Sequence, residues 1–205
     1  VRVLWPGDNF MLAHAYFRTG LARDGWDVLR GNILHTGFND LVPGDSVDII
    51  GGTDFGDTVQ TFTRTLVEGL FRYQPDYPFG KVLVAPQFPA DWDKASIQNP
   101  NAAISYNRSG NTHSLAVQLQ RDASLTVEIP VRATAITDVS VDGKPAEYET
   151  RPGFGQTIVR VTTPATAGAV ARPDTISTSG ISGAGLKKCM PTTRPGCFMP
   201  APSAV

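Results

Sequence analysis

The run Gly51–Asp57 holds the densest group of side chains that could do chemistry. It reads Gly-Gly-Thr-Asp-Phe-Gly-Asp, and the nearby glycines allow sharp backbone turns that would present the carboxylate of Asp54. Asp54 and Asp57 are therefore our candidate catalytic residues, because carboxylates in such a place can serve in cleavage of a glycosidic bond, where one carboxyl group acts as acid and another as base or nucleophile. The alternative is structural: Asp57 would cap the helix that follows, and Asp54 would close an Asx-turn.

Metal and cofactor sites find little support in the sequence. An EF-hand loop needs a Glu at its twelfth position, and counting from Asp54 that position is Thr65, which leaves only a looser calcium site as an alternative. Cys189 and Cys197 have no nearby His or carboxylate to complete a zinc shell. The glycine pair lacks the Lys-Ser/Thr of a phosphate-binding loop. We therefore predict no metal and no cofactor.

A second candidate group combines aromatic and polar side chains that could form a sugar-binding surface. Its members are Trp5, Asp8, Asn9, His14, Trp26 and His35. Aromatic residues at helical spacing are also typical of a core, and a core or groove position is the alternative for His14. His35 follows a predicted helix and could line a pocket.

Helices must position both groups, because residues 1–80 follow a helical pattern. Asp8 is a candidate cap for a first helix that stops near Gly20, and a second helix spans about residues 22–34. Apolar residues at positions 59, 62, 66 and 70 form the stripe of a third helix, which starts at Asp57 or Thr58 and ends at Gln74-Pro75.

Residues 81–162 change to a period of two, which predicts an antiparallel β-sandwich. Apolar residues alternate with other residues over 115–119 and over 125–131, and Asp142-Gly143 is a strong hairpin signal. Residues 163–205 contain almost no large apolar side chains, so we predict a low-complexity, disordered tail.

Overall composition excludes several classes of function. The 205 residues carry 18 Lys and Arg against 19 Asp and Glu, so no charge surplus predicts binding to nucleic acid or to a membrane surface. No apolar run approaches the roughly 20 residues that a bilayer-spanning helix needs. Two cysteines in the tail are compatible with either redox compartment.

The segment 57–92 resembles the end of a six-hairpin (α/α)6-barrel glycosidase. In that layout the last barrel helix leads through a Gly-x-x-Pro turn and a strand into a C-terminal β-sandwich. Bacterial α-L-rhamnosidases, inverting disaccharide phosphorylases and an uncharacterised Bacteroidetes-type family share it. The segment reads DTVQTFTRTLVEGLFRYQPDYPFGKVLVAPQFPADW.

The resemblance implies an α+β fold, in which the last helices of an (α/α)6 barrel precede a β-sandwich. It places Asp54 and Asp57 where the rhamnosidase-like enzymes carry Gly-x-Thr-x-x-Trp-Glu, although the Trp-Glu pair is missing here. The resemblance also implies that the chain is a C-terminal fragment of a glycoside hydrolase and that this protein is periplasmic or secreted. A carbohydrate would be the substrate, and the upstream part of the same protein or a second copy would be the partner. The alternatives are a non-catalytic carbohydrate-binding or structural module and a glycoside phosphorylase fragment.

Overall fold

The structure, a computed structural model, describes residues 6–38, 56–133, 135–171 and 175–179. Its helical layer consists of α1 (Pro6–Thr19), α2 (Ala22–Phe38) and α3 (Gly56–Arg64), and α3 continues into a π-helical segment (Thr65–Leu70). Gly20 ends α1 with a φ of 86°, a left-handed conformation that glycine adopts without strain, as the sequence predicts.

The helical layer is held together by contacts along α1. The ring of Phe10 lies 5.3 Å from that of Phe62 in α3, and the Thr65 hydroxyl donates to the Phe10 carbonyl at 2.8 Å. One turn later along both segments, Gly69 packs against His14. Since both contacts advance in the same direction, α1 runs parallel to α3, and their first turns lie at the same end of the layer.

The predicted third helix ends earlier than expected. Its last turn is the π-helical segment, and Arg72 then adopts a φ of 48° before the chain enters a strand. Pro75 lies inside that strand instead of ending the helix. Residues 66 and 70 keep the helical spacing of the apolar stripe. Residues 73–76 are not helical because they pair with the strand at 81–84.

Twelve strands make up the rest of the described chain. In chain order they are β1 (Tyr73–Asp76), β2 (Lys81–Val84), β3 (Lys94–Gln98), β4 (Ala102–Ser109), β5 (Thr112–Leu119), β6 (Ala123–Val131), β7 (Ala135–Val141), β8 (Lys144–Pro145), β9 (Glu149–Gly153), β10 (Gln156–Ala165), β11 (Val170–Ala171) and β12 (Thr175–Ser179). The first sheet has the order β1-β2-β6-β10-β9, and β2 pairs in parallel with β6. The second sheet has the order β3-β4-β5-β12-β7-β8, and β11 also pairs with β5.

The alternating apolar residues of both sheets meet in one core. Residues 115, 117 and 119 of β5 and residues 125, 127, 129 and 131 of β6 are buried, which confirms the alternation predicted for these strands. The hairpin at Asp142-Gly143 is confirmed too, because β7 and β8 pair across these two residues, and both have a positive φ.

Aromatic side chains join the helical layer to the second sheet. Trp26 of α2 meets Trp92 edge to face at a centroid distance of 4.7 Å, and Trp92 stacks on Phe88 at 5.8 Å. Phe88 in turn lies 4.9 Å from Tyr106 on β4. The helices and both sheets therefore share a single hydrophobic core.

The predicted fold class, the last helices of an (α/α)6 barrel followed by a β-sandwich, is wrong. Three short α-helices and two sheets make the described chain a β-rich domain, and its helices show no sign of a barrel. The spacing of the apolar residues predicts the helices correctly, but this spacing does not determine which element packs against their apolar face. Here the buried faces of α1 and α2 join the core of the sheets, which they could not do as part of a closed ring of helices.

Strands also continue past residue 162, where the sequence predicts a disordered tail. β10 extends to Ala165, and β11 and β12 add to the second sheet. Ala165, Ala171 and Ile176 are buried. These strands need only a few apolar side chains to be stable, because neighbouring strands provide their hydrogen-bond partners and bury those side chains. Residues 180–205 lie outside the described part of the chain.

Candidate functional site

Two of the predicted sugar-binding residues, Asp8 and Asn9, lie in the first turn of α1. Asp8 is exposed and Asn9 half-buried. The Asn32 side-chain amide in α2 donates to the Pro6 carbonyl at 2.8 Å, which fixes the second half of α2 beside this turn. The first turn of α3 lies at the same end.

The remaining members of the two predicted groups are only partly described. Trp5 and Asp54 lie outside the described residues. Asp57 is the second residue of α3, and His35 lies within α2, which runs four residues beyond its predicted end; the side chains of both are outside the description. The shared site and the catalytic roles of Asp54 and Asp57 stay a prediction.

His14 lies inside the helical layer. Its ring packs on Gly69, and its Nε2 atom is buried without a hydrogen-bond partner among the described residues. Burial, and after it the positive charge of Arg64, lowers the pKa of His14 below the usual value. A neutral ring wedged between α1 and the π-helical segment contributes to packing, and its predicted contact with a sugar stays untested.

A different group of residues forms an open groove at one end of the first sheet. Three turns meet there: residues 77–80 between β1 and β2, residues 120–122 between β5 and β6, and residues 166–169 after β10. The Ser124 amide donates to the Gly80 carbonyl at 2.8 Å, and the Ala167 amide donates to Asp122 Oδ1 at 2.7 Å. These hydrogen bonds tie all three turns into one rim.

The groove measures about 530 Å³, and its lining is rich in hydroxyl groups. The lining residues are Gly80, Asp122, Ala123, Ser124 and Thr162–Thr166. Hydroxyl groups both donate and accept hydrogen bonds, and an ionised carboxylate accepts them. The lining can therefore bind a ligand that carries many hydroxyl groups.

Aromatic residues precede Gly80, one of the lining residues, in the turn between β1 and β2. Phe79 is 75% exposed, which is unusual for a phenylalanine. Tyr77 is held from two sides, since Arg121 lies 5.4 Å from its ring centroid and its hydroxyl is 3.1 Å from that of Tyr73. Burial, with this hydrogen bond, raises the pKa of Tyr73 well above its usual value.

Sequence reasoning missed the groove because its residues lie in three distant stretches of the chain. Positions 80, 122–124 and 162–166 share no motif, and a polar turn residue is ordinary in any strand-rich sequence. The one available signal was Tyr77-Pro-Phe79-Gly80, which puts two aromatic residues in a turn.

A second groove, on the second sheet, includes Tyr106, which is hydrogen-bonded to the half-buried His113. It is lined by residues 94–96 of β3 and 105–107 of β4. The Tyr106 hydroxyl lies 2.8 Å from His113 Nδ1. Burial raises the pKa of Tyr106 to about 12 and lowers that of His113 to about 4. Both pKa values are thus shifted away from neutral pH, which makes the pair poorly suited to acid–base catalysis.

Within the described ranges, no three His, Cys, Asp or Glu side chains come close enough together to hold a metal ion. No helix in these same ranges is sufficiently long and apolar to cross a bilayer. No protein-family model matches the chain, and no curated protein matches it.

Proposed function

We propose that the chain is a non-catalytic carbohydrate-binding module and that the groove lined by Asp122, Ser124 and Thr162–Thr166 is its binding surface. The observation that carries the proposal is a groove lined by four hydroxyl-bearing side chains, with the exposed Phe79 next to its lining residue Gly80 along the chain. Sugar rings present C–H groups on one face and hydroxyl groups at their edge. An exposed aromatic ring and hydroxyl-bearing side chains can contact these two features.

The shape of the groove favours part of a chain over a small enclosed molecule. Small-molecule pockets enclose most of their ligand, whereas this groove is open along the sheet end. An oligosaccharide can lie in such a groove with several residues in contact and both ends free. The rigid rim of hydrogen-bonded turns holds the lining in place before the ligand binds, which reduces the entropic cost of binding.

The test is calorimetric titration of the full chain with a panel of neutral oligosaccharides. Phe79→Ala removes the exposed ring, and we expect roughly fivefold or greater loss of affinity, since an aromatic contact of this kind contributes about 1 kcal/mol or more. Asp122→Asn removes a charge but keeps an oxygen that can accept from the Ala167 amide, so it should weaken binding without opening the rim.

Phe154→Ala is the matched control. Phe154 is also a turn phenylalanine, 65% exposed, but it lies between β9 and β10, away from the lining residues. Its replacement should leave affinity unchanged. Equal loss in both variants, or no binding of any sugar by the parent chain, would refute the proposal.

A role in glycoside hydrolysis, as in the rhamnosidase-like enzymes, is the second candidate. One observation favours it: the first turns of α1 and α3 lie together, so the backbone of Asp57 is at the same end as Asp8 and Asn9. The same sugar panel, assayed for released reducing ends, distinguishes the two candidates. Turnover that is lost in Asp54→Asn or Asp57→Asn would support hydrolysis, and binding without turnover would support the module. Both candidate functions include a carbohydrate ligand, and we propose a periplasmic or secreted location for the chain.

A further inference from the structure

The outer edges of the two sheets differ in whether a proline interrupts them. Among the described strands, β1 and β9 form the edges of the first sheet, and β3 and β8 form those of the second. Three of these strands contain a proline, namely Pro75 in β1, Pro145 in β8 and Pro152 in β9. A proline has no N–H to give to an added strand, so it protects an edge from pairing with another chain. β3, which reads Lys-Ala-Ser-Ile-Gln, contains none.

The pairing of β3 with β4 determines which backbone groups of β3 face the open edge. The Arg108 amide donates to the Asp93 carbonyl at 2.7 Å, and the Asn99 amide donates to the Ala102 carbonyl at 2.9 Å. In an antiparallel ladder every second residue bonds to the same neighbour, so residues 93, 95, 97 and 99 bond to β4. The N–H and C=O groups of residues 94, 96 and 98 therefore point away from β4, and all three residues are exposed.

At the far edge of the same sheet, the proline occupies an outward-facing position. The Ala146 amide donates to the Val139 carbonyl at 2.9 Å, and Pro145 is paired with Ser140, the next residue of β7. Since Ala146 bonds to β7, the neighbouring Pro145 faces the open side, where its missing N–H blocks a further strand. The two edges of the second sheet thus differ, because β8 is blocked and β3 can accept a strand.

The sequence of β3 is complementary to itself in an antiparallel arrangement. If two copies cross at Ser96, the two Ser96 residues lie opposite each other, and Lys94 of each copy lies opposite Gln98 of the other. Each of these pairs can exchange two hydrogen bonds, so every outward N–H and C=O group of β3 finds a partner. The only charge of β3 is on its first residue, so no like charges meet in this register.

The apolar side chains of β3 match in the same register. Ala95 and Ile97 pack against the hydrophobic core at its border and are only half-buried. With Ser96 at the centre, Ala95 lies opposite Ile97 of the second copy, at the ladder positions where side chains come closest together. A second copy would therefore cover both side chains and extend the core across the contact.

We propose that two copies of the chain form a dimer through antiparallel pairing of their β3 strands about Ser96, which joins their second sheets into one continuous sheet. The arrangement is two-fold symmetric, and it uses the open edge of both copies, so association stops at the dimer. The contact lies on the second sheet, whereas the hydroxyl-lined groove lies at the end of the first, so the proposal does not depend on sugar binding.

The experiment is analytical ultracentrifugation of the full chain over a wide range of concentration, for which we expect a reversible equilibrium between monomer and dimer. Ser96→Pro removes the N–H at the centre of the contact. It keeps the bonds of β3 to β4, because the Ser96 N–H points to the open edge, where proline is tolerated. We expect the dimer of this variant to dissociate roughly tenfold or more readily, since its two central hydrogen bonds are lost.

A charge exchange tests the register and covers the case of a misfolded proline variant. Gln98→Lys places two lysines opposite each other at both ends of the contact, and it should weaken the dimer roughly threefold or more, with a smaller effect at high salt. Lys94→Glu combined with Gln98→Lys makes both pairs oppositely charged and should restore at least the association of the parent chain. Gln60→Lys, the same change at an exposed position of α3, is the control and should leave the dimer unchanged.

A parent chain that stays monomeric at every concentration, or that forms open-ended assemblies, would overturn the proposal. Equal weakening by Gln98→Lys and Gln60→Lys would also overturn it, because the effect would then be one of net charge. A dimer that neither Ser96→Pro nor Gln98→Lys weakens would show that the copies associate through another surface. Failure of the double variant to restore the dimer would exclude the register about Ser96.

Discussion

The two sheets and the helical layer satisfy their buried groups to different degrees. Inside the sheets the alternating apolar side chains face one another, and Glu128 is paired with arginine. Three polar atoms of the helical layer and its junction with the sheets are buried without a hydrogen-bond partner among the described residues. They are Nε2 of His14, the Thr58 hydroxyl and Nε of Arg72.

Exposed large apolar side chains do not show this contrast. Met11, Leu12, Leu34 and Val59 are exposed on the helices, and Phe79, Tyr148, Phe154 and Val170 are exposed in the sheet region. The difference in buried polar atoms teaches that the sheets pair the charge they bury, whereas the helical layer and its junction enclose unpaired polar atoms. We therefore expect the sheet core to contribute most to stability.

The largest effect should come from a cavity in the sheet core. Leu119 of β5 is fully buried, and Leu119→Ala should lower the free energy of unfolding by about 2 to 5 kcal/mol, because it loses burial and leaves a void. Leu12→Ala makes the same chemical change on the helical layer at a side chain that is 45% exposed, and it should cost about 0.5 kcal/mol or less. Urea unfolding of both variants gives the comparison; similar losses would mean that the layers contribute equally.

The next effect concerns the pH dependence that His113 gives to the second sheet. Burial lowers its pKa to about 4 in the folded chain, so the unfolded chain, with an ordinary histidine, binds more protons between about pH 6.5 and 4. The contribution of His113 is fully present above pH 6.5 and is lost as the pH falls toward 4, by up to about 3 kcal/mol in all.

His113→Gln keeps a hydrogen-bonding group beside Tyr106 but removes the titration. We expect its free energy of unfolding, measured between pH 7 and 4, to fall less steeply than that of the parent chain. Carboxylates contribute equally to both proteins, so the difference between the two curves isolates His113. Parallel curves would show that His113 titrates normally and is not desolvated by the sheet.

The smallest effect tests the close contact within the helical layer. A Cβ at Gly69 would lie 3.1 Å from His14 Cδ2 and 3.2 Å from Phe17 Cδ2, so Gly69→Ala should destabilise by about 1 kcal/mol through overpacking. Gly31→Ala is the control, because a Cβ there meets no atom within 4 Å, and the better helix propensity should stabilise by up to about 1 kcal/mol. Thermal unfolding distinguishes the signs, and stabilisation by both would mean that α1 and the π-helical segment are loosely packed.

Much of the local structure could be predicted from the sequence. The alternation around Val117 and Val127 depends only on neighbouring residues, because a strand turns every second side chain to the same face. Asp142-Gly143 likewise specifies its hairpin, since both residues tolerate the positive φ that the turn requires. The sequence also predicts the three helices, but it does not predict that the second ends at Phe38 and the third at Leu70.

The fold class, the continuation of strands beyond residue 162 and the two proposed sites were decided only by the tertiary structure. An apolar stripe shows which side chains share a face, but the same stripe can face other helices in a barrel or a sheet, as it does here. Gly80, Ser124 and Thr162 line one groove because β2 pairs with β6 and β6 pairs with β10. Periodicity is a property of neighbours along the chain, whereas a binding surface is made by strand pairing between residues tens of positions apart, which no local pattern encodes.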